Sequence, residues 1–160
     1  MTAITARRAT ATEVSAMQAA LAAEHAAIYG YGVAGAHLTG TDLTTATSDW
    51  VAHQVARDSL QAMLRAAGAT PVAAAVAYRL PRPVRGAVTA ISLAVTLEDR
   101  VATAYLGLVA GTSPGVRKFG ARQVIAAAMR AAGWRGRTVA FPGFSPRTLS
   151  PRKASHGPRG

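Results

Sequence analysis

Apolar and small residues recur three and four positions apart in four separate stretches of the chain, which is the spacing of one face of an α-helix. The first stretch opens with Thr10 and Glu13, whose separation matches a capping box, and Gly40 is a natural stop. One acid, Glu24, falls on the face predicted to be buried. The predicted buried positions are Val14, Met17, Leu21, Glu24, Ile28, Tyr31, Gly35 and Leu38.

Three further helices are predicted by the same spacing and by residues that start or stop helices. Their predicted limits are Asp42 and Gly68, Pro83 and Gly111, and Ser113 and Gly133. Their predicted buried positions are Leu43, Ala46, Trp50, His53, Arg57, Leu60 and Leu64 in the second helix, Val84, Val88, Ile91, Val95, Glu98, Ala102, Tyr105 and Val109 in the third, and Phe119, Ile125 and Met129 in the fourth. The sequence therefore predicts an all-α protein.

The connection between the second and third helices is the longest and predicts the topology. Residues 69–82 reach roughly 45 Å when extended, enough to run the length of a helix of roughly 40 Å. A four-helix bundle with one long crossover has the ferritin-like arrangement. We therefore expect residues 10–133 to form an all-α, ferritin-like four-helix bundle with a long crossover between helices 2 and 3. Residues 134–160, rich in Pro, Gly and Arg, are expected to form a flexible basic tail.

Composition narrows the class of protein without naming an activity. The chain has no cysteine, so disulfide frameworks and thiolate metal sites are excluded. No apolar run is long enough to predict a membrane span, and a cytoplasmic location is expected. The net charge of +11 is uneven, because six basic residues and no acids follow Gly133. Such a basic tail suggests weak, salt-dependent binding of polyanions.

Polar residues occur near the middle of three predicted helix faces: Glu24, then His53 with Arg57, then Glu98. A di-iron carboxylate site needs one Glu from each of two helices and a Glu-x-x-His pair from each of the other two. Trp50 stands where the acid paired with His53 would be, and the fourth predicted helix has neither acid nor histidine. A full di-iron site is therefore excluded.

Two interpretations of these central residues remain. In the first, a buried ionic network forms in which Arg57 neutralises Glu24 and Glu98 and His53 completes the hydrogen bonding. Buried charges need partners, so this interpretation predicts that Arg57→Ala destabilises the protein by about 3–5 kcal/mol. In the second, a reduced mononuclear metal site uses the N/O ligands of the chain. Its candidate ligands are Glu24, His25, His53 and Glu98.

Two other patterns carry weaker functional signals. Gly30, Gly32 and Gly35 match the dinucleotide fingerprint in spacing, but that motif follows a strand, whereas these glycines lie late in a predicted helix. Close helix approach, or a locally loosened helix end, explains them better. Clustered basic residues form a candidate polyanion or nucleic-acid surface. These candidates are Arg117, Lys118, Arg135, Arg137, Arg152 and Lys153.

Several short motifs resemble bacterial ferritin-like proteins classed as a domain of unknown function. They are Glu-His-Ala-Ala-Ile-Tyr-Gly-Tyr-Gly at 24–32, His53 with Arg57-Asp58, Tyr78-x-Leu-Pro-x-Pro83, and Leu97-Glu98. The resemblance covers residues 12–135 and implies a ferritin-like bundle. It implies no activity, since none is assigned to the family. The absence of helix-four ligands argues against carrying over iron storage or ferroxidase activity.

The sequence thus favours a non-catalytic binding or scaffold module with no cofactor, its centre held by Glu24, His53, Arg57 and Glu98. Ala- and Gly-rich helix faces suggest a homo-oligomer, with a dimer as the simplest case. A reduced metal-binding protein or oxidoreductase is the first alternative, and metal is not excluded as a cofactor. Polyanion or nucleic-acid binding through the basic tail is the second.

Overall fold

The computed structural model describes residues 9–111 and 113–136 of the 160-residue chain. Within them the chain forms four helices and no strands. They are α1 (Ala11–Gly35), α2 (Gly40–Ala66), α3 (Ala87–Val109) and α4 (Pro114–Arg135). The all-helical prediction is confirmed. None of these helices combines the length and apolarity that crossing a bilayer requires.

The start of α1 is set by the predicted capping box. The backbone N–H of Glu13 donates to Thr10 Oγ1 at 3.1 Å, and the backbone N–H of Thr10 donates to Glu13 Oε2 at 2.9 Å. The same carboxylate accepts the backbone N–H of Ser113 through Oε1 at 2.6 Å. Glu13 therefore both caps α1 and joins its start to the start of α4.

The other helix boundaries differ from the predicted ones by a few residues. Gly40 begins α2 instead of ending α1, and its φ of +55° reverses the chain between the two helices. The third helix begins after Pro83, because Thr89 Oγ1 accepts the backbone N–H groups of Arg85 and Gly86 and closes the first turn there.

The fourth helix extends beyond the predicted stop at Gly133. α4 continues through Trp134 and ends at Arg135, and Gly136 caps it with a left-handed φ of +71°. The rest of the predicted tail, residues 137–160, lies outside the described part of the chain.

Contacts between the helices give their relative directions. Residues near the start of α1 pack with late residues of α2 and of α3, as in the apolar cluster that contains Met17, Leu64 and Leu108. α1 is therefore antiparallel to both, and α2 and α3 are parallel to each other. Residues 67–86 make the return between them along α1, where Gln18 bonds to the backbone of Thr70 and Val72.

The core is divided into two apolar clusters. One end contains Met17, Leu21, Leu60, Leu64, Val101, Tyr105 and Leu108, and the other contains Tyr31, Ala34, Leu38, Ala90, Leu93 and Leu97. Three buried polar residues, Glu24 of α1, His53 of α2 and Glu98 of α3, each lie in sequence between residues of these two clusters. A polar layer therefore crosses the middle of the helices.

The buried face of α4 differs from the predicted one. Its buried residues are Val116, Gly120, Ala127 and Ala131, so the helix packs mainly through small side chains. A Cβ at Gly120 would lie 2.6 Å from Leu108 Cβ, which shows how closely α4 approaches α3. The predicted core residues Ile125 and Met129 are exposed instead, as are Leu43, Trp50 and Val88.

Candidate functional site

The polar layer is centred on His53, whose two ring nitrogens both face carboxylates. Nδ1 lies 2.6 Å from Glu24 Oε2, and Nε2 lies 2.9 Å from Glu98 Oε1. The three side chains are fully buried. The structure therefore brings together three of the four residues predicted for the centre, one from each of the first three helices.

The fourth predicted residue, Arg57, lies elsewhere, and this corrects the sequence interpretation. Its Nε donates to Asp58 Oδ1 at 2.8 Å, in an ion pair near the surface. Position 57 is about 40° around α2 from His53, so its long side chain reaches solvent beside the next residue. Arg130 of α4 supplies the cation instead, with its Nε donating to Glu98 Oε1 at 3.0 Å.

Two buried tyrosines complete the carboxylate hydrogen bonds. The Tyr105 hydroxyl donates to Glu24 Oε1 at 2.7 Å, so both oxygens of Glu24 are bonded. The Tyr31 hydroxyl lies 2.6 Å from Glu98 Oε1 and 3.2 Å from Asp49 Oδ2. A phenol has one hydrogen, and the shorter distance assigns it to Glu98.

The layer ends at Asp49 and Trp134. The Trp134 indole Nε1 lies 2.8 Å from Asp49 Oδ2 and 3.0 Å from the Tyr31 hydroxyl, so α4 is joined to α2 and α1. We call the whole set the central network. Its members are Glu24, Tyr31, Asp49, His53, Glu98, Tyr105, Arg130 and Trp134.

The carboxylates fix the charge of His53. Burial disfavours the imidazolium, but hydrogen bonds to Glu24 and Glu98 outweigh it and raise the pKa of His53 to about 9. Burial likewise opposes ionisation of Glu98, but His53 and Arg130 hold the pKa of that carboxyl below its ordinary value. Near neutral pH the centre therefore holds an imidazolium and a guanidinium around ionised Glu98.

The pKa values of Asp49 and of the two tyrosines are raised, in contrast to that of Glu98. Burial raises the pKa of Asp49 despite the hydrogen bond from Trp134. Burial and the neighbouring carboxylates raise the pKa of Tyr31 and of Tyr105 far above the ordinary tyrosine value. Both phenols therefore stay neutral and serve as hydrogen-bond donors.

The donor set does not suit a di-iron centre. Metal-ligating histidine needs a free ring lone pair, and an imidazolium with both N–H groups bonded to carboxylates has none. The fourth helix supplies a guanidinium, which is not a ligand. Across residues 9–111 and 113–136, no group of three or more His, Asp or Glu side chains has the arrangement of a metal site. One carboxylate oxygen of the network, Glu98 Oε2, is buried without a hydrogen-bond partner.

The remaining sequence candidates lie away from this centre. The predicted metal candidate His25 bonds through Nε2 to the carbonyl of Val72, 3.2 Å away, and so holds the crossover. Gly30 lies inside α1, where an added Cβ would meet Leu97 at 2.6 Å, so close packing explains it. At Gly32 an added Cβ would meet nothing. The glycine pattern is not a phosphate-binding loop, because all three glycines lie within α1.

The predicted polyanion residues are divided by the structure. Arg117 and Lys118 are exposed near the start of α4. Arg135 is 15% exposed and pairs with Asp99, with Nη2 2.6 Å from Oδ2, so it is engaged within the helices. The other three, Arg137, Arg152 and Lys153, lie outside the described part of the chain.

Comparison with known proteins places the chain in a family. A family model described as Domain of unknown function (DUF4439) matches residues 16–146. The chain belongs to this family. As a DUF4439 protein it is similar to a conserved hypothetical protein, rv2844, from Mycobacterium tuberculosis, whose crystal structure matches with a TM-score of 0.76 at 33% identity. The match covers 78% of this chain and 96% of that one. The search of curated proteins gave no match.

Every member of the central network lies within the part that matches the DUF4439 model. Sequence reasoning placed Tyr31 and Tyr105 on buried faces but gave them no role, and it missed Asp49, Arg130 and Trp134. Asp49 had a signal, since it precedes His53 by four residues and shares its helix face. Arg130 had almost none, because the buried face of α4 is marked by Gly and Ala instead of large apolar residues.

Proposed function

We propose that this DUF4439 protein is a ferritin-like four-helix bundle in which the central network replaces a di-iron centre, and that it acts as a non-catalytic binding or scaffold module. The parallel directions of α2 and α3, joined by residues 67–86, support the ferritin-like arrangement. The observation that carries the proposal is His53, which bonds through both nitrogens to carboxylates from two other helices.

Arg130 supports the same proposal. In a metal-binding bundle the fourth helix contributes ligands to the centre. Here it contributes a guanidinium to Glu98 Oε1, the oxygen that also bonds to His53 and Tyr31. A fixed cation in this place supplies the positive charge that a metal otherwise gives to the carboxylates. The centre then has a structural role and needs no exchangeable ion.

Metal binding tests this proposal directly. Untagged protein should contain no stoichiometric metal by elemental analysis, and its melting temperature should not rise with added Zn²⁺, Mn²⁺ or Fe²⁺. One equivalent of metal that stabilises the protein would overturn the proposal if Glu98→Gln abolished it. Metal lost in the exposed-site variant His37→Gln but retained in Glu98→Gln would be surface-bound and would leave the proposal standing.

A mononuclear metal site is the second candidate function, and Glu98 Oε2 is the observation that favours it. This oxygen is buried and has no hydrogen-bond partner, which is uncommon for a native carboxylate. A metal that bound this oxygen together with His53 would have to replace a proton on the imidazole ring, so its affinity would rise with pH. The same titration, repeated at pH 9.5, tests this candidate, since metal binding that appears only there would identify it.

Self-association and polyanion binding remain predictions from the sequence. Light scattering tests the first. Retention on a heparin matrix as a function of salt tests the second, with Arg117→Ala and Lys118→Ala as the variants within the described helices.

A further inference from the structure

Hydrogen bonds join His53 to Asp49 through a continuous series of groups, each of which can take up or release a proton. His53 Nε2 lies 2.9 Å from Glu98 Oε1, and the same carboxylate oxygen lies 2.6 Å from the Tyr31 hydroxyl. That hydroxyl lies 3.2 Å from Asp49 Oδ2, which is the longest of the three links. We call these four residues, His53, Glu98, Tyr31 and Asp49, the proton chain.

Exposure increases along the proton chain from one end to the other. His53 and Glu98 are 0% exposed, Tyr31 is 2% exposed and Asp49 is 8% exposed. The residues that precede and follow Asp49 in α2 are both exposed, so this carboxyl lies just below the surface of the helix. Asp49 is therefore the outer end of the proton chain, and the imidazolium of His53 is its inner end.

We propose that the proton chain carries protons between buried His53 and solvent at Asp49 while the helices stay folded. Tyr31 gives its hydroxyl proton to Asp49 Oδ2. It receives, on the same oxygen, the proton that His53 Nε2 has passed to Glu98 Oε1. The imidazole is then neutral, Glu98 is again ionised, Tyr31 is again a neutral phenol, and Asp49 releases the proton to water. This inference goes beyond the scaffold role proposed above, which needs no moving proton.

The other nitrogen of His53 faces a closed end. Nδ1 lies 2.6 Å from Glu24 Oε2, and Glu24 Oε1 accepts the Tyr105 hydroxyl at 2.7 Å. Glu24 and Tyr105 are both 0% exposed, and the Tyr105 ring packs edge-on against Phe119 with 5.8 Å between the ring centroids. The two ring protons of His53 therefore differ in their access to solvent. We expect Nε2–H to exchange with water faster than Nδ1–H.

The two residues of α4 that contact the proton chain do not carry protons themselves. Arg130 donates to Glu98 Oε1, but a guanidinium keeps its protons at ordinary pH. The Trp134 indole nitrogen, close to Asp49 and to the Tyr31 hydroxyl, is a donor only. Burial raises the pKa of Asp49 above its ordinary value, which helps that carboxyl to hold a proton before releasing it. Proton transfer along the network therefore leads to Asp49.

Solvent exchange of the His53 ring protons, measured by NMR in the full chain with ¹⁵N-labelled histidine, tests the proposal. The His53 signals are identified by their loss in His53→Gln. The exchange rate of Nε2–H near neutral pH is divided by that of the His53 backbone amide, which exchanges only when α2 opens. This ratio removes any general loss of stability. Tyr31→Phe interrupts the proton chain and Asp49→Asn removes its outer acceptor. Tyr105→Phe is the matched control, because it removes an equally buried phenol from the Nδ1 side.

We expect the ratio to fall on the order of a hundredfold in Tyr31→Phe, as for the loss of a positioned proton-transfer group, and to fall in Asp49→Asn as well. It should stay unchanged in Tyr105→Phe. An unchanged or higher ratio in Tyr31→Phe or in Asp49→Asn would overturn the proposal, because removing a purely structural hydrogen bond slows no exchange. An equal fall in Tyr105→Phe would also overturn it. So would a parent protein in which Nδ1–H exchanges as fast as Nε2–H, a comparison that needs no variant.

Discussion

Arg130 is the residue on which the central network depends most clearly. It neutralises Glu98 inside the helices, and its side chain is only 16% exposed. Arg130→Met keeps much of the volume and removes the charge, so Glu98 loses a partner that it cannot replace from solvent. We expect the free energy of unfolding to fall by about 3 kcal/mol. Urea denaturation followed by circular dichroism measures this loss.

Arg57→Met is the matched control for this change. Its side chain pairs near the surface with Asp58, and exposed ion pairs contribute little to stability. The urea midpoint should therefore stay almost unchanged. A large loss in Arg57→Met, or none in Arg130→Met, would restore the assignment made from the sequence. That assignment rested on the four-residue spacing between His53 and Arg57, which places both on one helix face. Spacing does not show whether a long side chain turns inward or extends to the surface.

His53 makes stability depend on pH in a stated direction. Its pKa is raised from the ordinary 6.5 to about 9 in the folded protein by Glu24 of α1 and Glu98 of α3. The Tyr31 ring lies beside it, tilted by 35°, with 5.2 Å between the ring centroids. Because the folded protein binds the His53 proton more tightly than the unfolded chain does, protonated His53 stabilises the fold. This contribution is complete below pH 6.5 and is lost as the pH rises through 9. The loss is on the order of 3 kcal/mol.

Urea unfolding between pH 6 and pH 10 checks this expectation, and the His53 imidazole signals in NMR give its titration directly. His53→Gln should be less stable at pH 6 and should lack the decline. His37→Gln, which changes an exposed histidine, should keep it. A parent protein whose stability is flat from pH 6.5 to 9 would contradict the imidazolium.

At the scale of elements, the contact between α3 and α4 depends on a glycine. A Cβ at Gly120 would lie 2.6 Å from Leu108 Cβ and 3.2 Å from the backbone at Leu108 and at Tyr105. Backbone cannot move aside without separating the helices. Gly120→Ala should therefore destabilise the protein by about 1–3 kcal/mol, even though alanine favours helix. Thermal unfolding measures the change.

Gly133 in the same helix provides the comparison. An added Cβ there meets nothing within 4 Å. Gly133→Ala should therefore stabilise by about 0.5–1 kcal/mol through the unfolded chain alone. If both alanine variants stabilised the protein, α4 would not lie as close to α3 as the structure places it.

Helix starts were predictable where the capping residues were recognised in the sequence, and were missed where a different local hydrogen bond closes the first turn. Thr10 with Glu13 predicted the start of α1 correctly, and Ser113 with Pro114 that of α4. Pro83 does not start α3, because the Thr89 hydroxyl accepts the N–H groups of Arg85 and Gly86 and so closes the first turn after the proline. The predicted buried face of α4 was wrong, because the prediction relied on large apolar residues, whereas α4 packs through Gly and Ala.

One polar layer joins the four helices. Its members were predictable from the sequence only where a polar residue interrupts an apolar helix face. Glu24, His53 and Glu98 interrupt apolar faces and were found from the sequence. Arg130 lies on a helix with no acid and many basic residues, so nothing local distinguished it. The two buried acids, Glu24 and Glu98, indicate that some helix must supply a buried cation, but they do not indicate which helix.

Each helix contributes a charged member to the central network: Glu24 from α1, His53 from α2, Glu98 from α3 and Arg130 from α4. Separating any helix from the others leaves a buried charge without its partner, so partly unfolded states are costly. We expect a single cooperative transition in urea, with far-UV circular dichroism and Trp134 fluorescence following the same curve in Trp50→Phe. Trp134 reports on α4 and on its bond to Asp49. A fluorescence change that precedes the loss of helix would mean that α4 detaches first, and that the network does not couple the four helices.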